Sequence, residues 1–128
     1  MAGIKSLFLK KLLNFSISED SDGFLKLHAK SLAKLEDDNE VYADKIISLL
    51  QLIKGIQTIN LDKKNCFIDI KYDSNVISVQ NIIKYIDVII DVISDNLSLI
   101  SNSNTAEVDT LLGTLNDDLQ QRAKKIGI

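Results

Sequence analysis

The stretch GIQTINLDKKNCFIDIKYDSN, Gly55 to Asn75, lies between two long helical patterns and decides how the chain is read. Ile56, Ile59 and Leu61 suit a strand that follows a glycine. LDKKN is polar and turn-like. CFIDIKY alternates, with Cys66, Ile68, Ile70 and Tyr72 on one side and Phe67, Asp69 and Lys71 on the other. Two short strands around a four- to five-residue polar turn make a β-hairpin.

Helices are expected on either side of this hairpin. Upstream, Ala43, Ile46, Ile47, Leu50 and Ile53 keep helical spacing over Glu40–Lys54. Asp38 or Asn39 is the candidate N-cap, and Gly55 follows the last periodic residue, where a left-handed C′ residue belongs. Downstream, Ser78 caps a helix from Val79, in which Ile82, Ile83, Ile86, Ile90 and Ile93 form the apolar stripe. Lys84, Asp87, Asp91 and Asp95 mark its wet side. The many β-branched residues lower intrinsic propensity, but packing of a regular stripe supplies most helix stability. Leu97–Ser101 reads as a short closing strand, with the alternative that the helix continues to Ile100.

Further upstream, FLKLHAKSLA (24–33) alternates as a half-buried strand, with Leu25, Leu27 and Ala29 on one face and Phe24, Lys26 and His28 on the other. SISEDSDG before it reads as a linker or turn. Residues 1–15 give an amphipathic helix with Ile4, Leu7, Phe8 and Leu12 on its stripe and Lys5, Lys10 and Lys11 largely off it. Residues 105–126 give a last helix with Val108, Leu111, Leu112, Leu115 and Leu119 on one side. Its acidic start and basic end suit the helix dipole.

The central order is strand, helix, hairpin, helix and a candidate last strand, the βαββα(β) pattern of a ferredoxin-like sandwich. The expected protein is α+β: one domain over 1–128, a core over 24–101, and additional N-terminal and C-terminal helices. In detail, LLQLIKGIQTINLDKKNCFIDIKYDSNVISVQNIIKYI resembles the heavy-metal-associated domain family of copper chaperones and metal-ATPase N-terminal domains. Gly55-Ile56, Ile59, Leu61, Ile68, Ile70, Tyr72-Asp73, Ile77-Ser78 and Ile82-Ile83 carry the likeness, which spans roughly Phe24 to Ile93. The family's metal chemistry needs two thiolates at C-x-x-C between the first strand and first helix. Here that loop is AKLEDDNEVYA, without cysteine, methionine or histidine. The resemblance therefore implies a divergent, ligand-less member: the fold without the metal task, and no cofactor.

Bulk properties restrict function further. The 128 residues carry a net charge of −3, which disfavours nucleic-acid binding through phosphate neutralisation. A single cysteine forms no intramolecular disulfide. The sequence shows neither a secretory leader nor a membrane-spanning run, so a cytoplasmic protein is expected. No paired catalytic carboxylates, nucleophile–His–Asp set or phosphate loop is evident, and the chain is read as a non-enzyme.

Each candidate site residue has a plain structural role beside its functional one. Cys66 and His28 are the weak metal candidates. The first reads as an inward packing residue on its strand and the second as a surface residue beside lysines. Their alternation phases place them on opposite sheet faces. Glu36, Asp37, Asp38 and Glu40 lack the spacing and turn glycine of an EF-hand loop. Phe24 and Phe67 fall on the polar face of two neighbouring strands, where RNA-recognition modules carry stacking aromatics. KKNCFIDIKY lacks the glycines and second aromatic of that motif. Their expected role is an interaction surface, covered by the N- or C-terminal helix or by a second subunit, together with Leu111, Leu115 and Leu119 on the last helix. Lys5, Phe8, Lys10 and Lys11 suit contact with an anionic membrane. The leading expectation is a protein-interaction or scaffolding module that binds a protein partner or forms a homo-oligomer. A metal-delivery protein with an unconventional site and a peripheral membrane adaptor are the alternatives.

Overall fold

The computed structural model describes residues 15–29, 37–62, 64–96, 100 and 108–128; the side chains of 37–43, 108 and 109 lie outside that description. Its elements are β1 (Ser16–Ser21), β2 (Phe24–His28), α1 (Asp37–Gln51), β3 (Ile56–Asp62), β4 (Phe67–Tyr72), α2 (Val79–Asp95) and α3 (Val108–Lys125). The protein is α+β, with one four-stranded sheet in the order β1-β2-β4-β3. Every neighbouring pair is antiparallel. The N-terminal helix expected over residues 1–15 lies outside the described residues, apart from Phe15, which is not helical.

The hairpin read from Gly55–Asn75 forms, with Ile59 opposite Ile70 and Leu61 opposite Ile68. Its turn is held by Asp62, whose carboxylate accepts the backbone N–H of Asn65 at 3.1 Å and its side-chain amide at 2.8 Å. Those two bonds, the side-chain one foremost, pull the Asp62 carboxyl below its usual range. Cys66 departs from expectation. It belongs to this turn rather than to β4, and its backbone is left-handed at φ 64°. Its side chain is half-buried against the edge of the core, so the alternation phase holds although the strand begins one residue later.

β4 lies between β2 and β3, so β2–α1–β3 is a crossover unit with a strand inserted through it. α1 starts at Asp37, three residues before the expected Glu40, which puts Asp38 and Asn39 inside its first turn. Its C-terminus tightens: Leu52 and Ile53 donate to the carbonyls three residues back. Gly55 then takes φ 100°, and a Cβ there would stand 2.8 Å from Ile77 Cγ2. Glycine is required both for that backbone angle and for the approach of Ile77. α2 begins as expected, with Ser78 Oγ accepting the Asn81 N–H at 3.2 Å.

The fourth strand is a correction. Ser16–Ser21, read from the sequence as a linker or turn, pairs with β2 and occupies its outer side. Of the candidate strand Leu97–Ser101, only Ile100 is described; it is helical, its N–H bonded to the Asn96 carbonyl at 3.0 Å. β1 and β2 turn on Asp22-Gly23, where Gly23 takes φ 79° and a Cβ would stand 3.1 Å from the Tyr72 carbonyl oxygen.

One apolar core joins Leu25, Leu27, Ile68 and Ile70 of the sheet with Ile46, Leu49 and Leu50 of α1. Ile82, Ile86, Ile89 and Ile93 of α2 and Leu111, Leu115 and Leu119 of α3 complete it. α3 packs on both α1 and α2. From Ile86 to Ser94 in α2 only Asp87 is exposed and only Asp91 half-buried. A helix wet along so narrow a stripe is covered on more than one side. Tyr72 closes the core below β1: its hydroxyl lies 3.5 Å from the Ser21 carbonyl oxygen, across β2. Burial, then the nearby Asp20 carboxylate, push its phenol above the ordinary range.

Candidate interaction face

Strand alternation divides the sheet into two faces. Leu25, Leu27, Ile68 and Ile70 turn to the helices and are buried. Phe24, Lys26, His28, Phe67 and Asp69 turn the other way and are half-buried, with Lys71 exposed. The β2–β4 register sets them in three rows: His28 opposite Phe67, Lys26 opposite Asp69, Phe24 opposite Lys71. β1 adds Ser16, Glu19 and Ser21 to the same rows, and β3 adds Asp62, Asn60 and Thr58.

Phe67, in an end row of this face, gathers the ring and cation contacts. The His28 ring lies 5.2 Å from it, tilted by 57°, an arrangement that brings ring edge toward ring face. Lys26 Nζ sits 4.7 Å from the Phe67 centroid, within cation–π range. The same ammonium is 3.9 Å from Asp69 Oδ1, at the outer limit of an ion pair. Lys26 is thus divided between ring and carboxylate. Among the described residues no hydrogen-bond donor reaches that buried Asp69 oxygen. The result is a small aromatic–cationic cluster whose members hold one another in place.

Phe24 and Phe67 share the face but are not adjacent. Phe67 pairs with His28, and Phe24 lies four residues along β2, about 13 Å at the ordinary strand rise. The two rings do not form one stacking platform.

The other sequence candidates are placed as follows. Cys66 stands opposite Ala29, whose N–H donates to the Cys66 carbonyl at 2.9 Å, and packs toward the core. His28 is on the open face, so the two weak metal candidates lie on opposite sides of the sheet. Among the described residues no three of His, Cys, Asp and Glu come together as a metal site. Leu111, Leu115 and Leu119 are 4%, 0% and 0% exposed. Their apolar stripe is covered by the chain's own helices. Lys5, Phe8, Lys10 and Lys11 lie outside the described residues. No described helix is long and apolar enough to cross a membrane.

Two charged groups escape the sequence reading, one beside the face and one among the helices. Glu19, placed opposite Lys26 by β1, lies in SISEDS, whose polarity gives a linker pattern. The Asp-Gly pair at 22–23, a standard hairpin signal, marked its end. Arg122, in the basic end of α3, clasps two carboxylates: Asp118 at 2.9 Å and Asp95 at 2.8 Å. Asp118 foremost holds this guanidinium in its charged form.

Compared with family models, curated proteins and solved structures, the chain matches none.

Proposed function

We propose that this chain is a non-enzymatic protein-interaction module, built on a ferredoxin-like core of the heavy-metal-associated type. The recognition surface is the open sheet face at Phe24, Lys26, His28 and Phe67. The order β2–α1–β3–β4–α2, with β4 inserted between β2 and β3, supports the ferredoxin-like assignment. β1 takes the edge position that a C-terminal strand holds in the βαββαβ order.

The observation that carries the functional reading is that, among the described residues, the helices cover one face of the sheet. The core joins α1, α2 and α3 to one face, while the opposite face presents two phenylalanines, an imidazole and an ammonium. Side chains held by their neighbours lose little freedom when a partner docks, and aromatic residues such as phenylalanine are enriched at interfaces. Leu111, Leu115 and Leu119 contribute by holding α3 on the far side, not by touching the partner.

The experiment compares capture of a protein partner by the wild-type chain with capture by Phe24→Ser, Phe67→Ser and, as control, Leu52→Ser. Leu52 is exposed and lies off the face. Both phenylalanine variants lose the partner that the wild type and the control retain. Equal capture by all four would overturn the reading.

A further inference from the structure

The two edges of the sheet are built differently. β1 is interrupted by a bulge between Ile17 and Glu19 and carries Glu19 and Asp20, with Asp22 in the turn beyond. Bulges and charges are how natural sheets blunt an edge against further pairing. β3 has neither defence over most of its length. From Ile56 to Leu61 it carries no charge and no proline, and its one irregularity lies at its start, between Ile56 and Thr58. Among the described residues no strand lies beyond it.

Backbone directions along this edge follow from three hydrogen bonds. The Ala29 N–H donates to the Cys66 carbonyl at 2.9 Å and the Tyr72 N–H to the Gly23 carbonyl at 3.0 Å. Even-numbered residues of β4 therefore direct their backbone groups at β2, and odd-numbered ones at β3. The Asp73 N–H, donating to the Gly55 carbonyl at 2.7 Å, agrees. Through the pairs Thr58–Lys71, Asn60–Asp69 and Asp62–Phe67, it is Thr58, Asn60 and Asp62 that bond to β4. Ile59 and Leu61 turn their N–H and C=O groups outward, to the free side.

We propose that β3 pairs antiparallel with β3 of a second copy of this chain, about a twofold axis at Asn60, making one continuous eight-stranded sheet. In this register Ile59 faces Leu61 of the second copy, and Leu61 faces Ile59. Both are hydrogen-bonded pairs and together form four backbone bonds. Ile59 and Leu61 are half-buried in the single chain and gain cover on the helix side. On the open side Asn60 meets Asn60 of the second copy, and a carboxamide is its own complement as donor and acceptor. Thr58, whose hydroxyl donates, meets Asp62, whose carboxylate accepts. No like charges fall opposite one another, whereas a single lysine or glutamate at position 60 would have blocked the match. This self-complementarity selects a second copy over an unrelated strand. A strand of this length buries less than a standard interface, so the dimer is a weak, reversible one.

This goes beyond the open-face reading, because it uses the sheet edge; Phe67→Ser therefore leaves the dimer intact. The test is sedimentation equilibrium of the full chain over a concentration series, with Asn60→Lys as the disrupting variant. Asn60 is exposed, so that change leaves the core untouched while setting two like charges on the axis. Asn60→Cys supplies a second readout, in a Cys66→Ser background checked for folding. Its two sulfurs sit on a non-hydrogen-bonded pair with Cα atoms about 4.5 Å apart, within disulfide reach. Gln57→Cys is the control, about 20 Å from its own copy in this register. A reversible dimer, weakened at least tenfold by Asn60→Lys and trapped by oxidation at position 60 but not 57, is the expected result. A wild-type chain that stays monomeric to about 1 mM, a dimer indifferent to Asn60→Lys, or equal trapping at both positions would overturn the proposal.

Discussion

Cys66 shows how one residue carries two opposed demands. Its backbone sits at φ 64°, a region that costs an ordinary L-residue roughly 1–2 kcal/mol. Its side chain, half-buried against the core, returns part of that through packing. The two terms are separable by substitution. Valine is larger and more apolar than alanine, so burial alone ranks Cys66→Val above Cys66→Ala. Branching at Cβ makes the left-handed region harder to occupy, so backbone strain ranks them the other way. Chemical denaturation is expected to find Cys66→Val less stable than Cys66→Ala by about 1 kcal/mol. The opposite order would mean that burial dominates this site.

At the scale of elements, α3 holds to the rest of the chain by two contacts of different worth. Leu111, Leu115 and Leu119 bring an apolar stripe into the core. Arg122 bonds Asp118 in its own helix and Asp95 at the end of α2. The Arg122–Asp95 pair ties two helix C-termini together, but Asp95 is 61% exposed. Solvent screens such a pair to within about 1 kcal/mol. Leu115 is fully buried, so Leu115→Ala costs about 2–5 kcal/mol, against under about 1 kcal/mol for Arg122→Gln. Urea titrations of the two variants check this ranking, and high salt should shrink only the smaller loss. Comparable losses would show that the ion network, not the leucine stripe, docks α3.

Across the whole molecule, the sequence was legible where one face of an element is buried. The 2-residue period of FLKLH and FIDIKY and the helical stripes of α1 and α3 each follow from a single apolar face, while α2, covered on more than one side, shows its period through the narrow wet stripe at Asp87 and Asp91. The hairpin, the Ser78 cap and the left-handed Gly55 were visible because local turn and cap chemistry dictates them. β1 was not legible, because every one of its six residues is exposed and SISEDS carries no apolar alternation. Its place comes from backbone bonds to β2 and from the Gly23 turn, neither of which leaves a hydropathy signal. The open face was half legible. Alternation assigned Phe24, Lys26, His28 and Phe67 to it, but only the register sets Lys26 over the Phe67 ring and keeps Phe24 distant.

The account of the sheet, both its open face and its β3 edge, rests on the strand order β1-β2-β4-β3. The Hα–Hα nuclear Overhauser effects of the full chain measure this directly. Asp20 and Leu25 form a β1–β2 pair, and Lys26 and Asp69 a β2–β4 pair. Both are non-hydrogen-bonded pairs, which bring opposed Cα atoms to about 4.5 Å. Strong Asp20–Leu25 and Lys26–Asp69 cross-peaks are the expected result. A Leu25 Hα cross-peak to a residue within Leu97–Ser101 in place of Asp20 would contradict the strand order β1-β2-β4-β3.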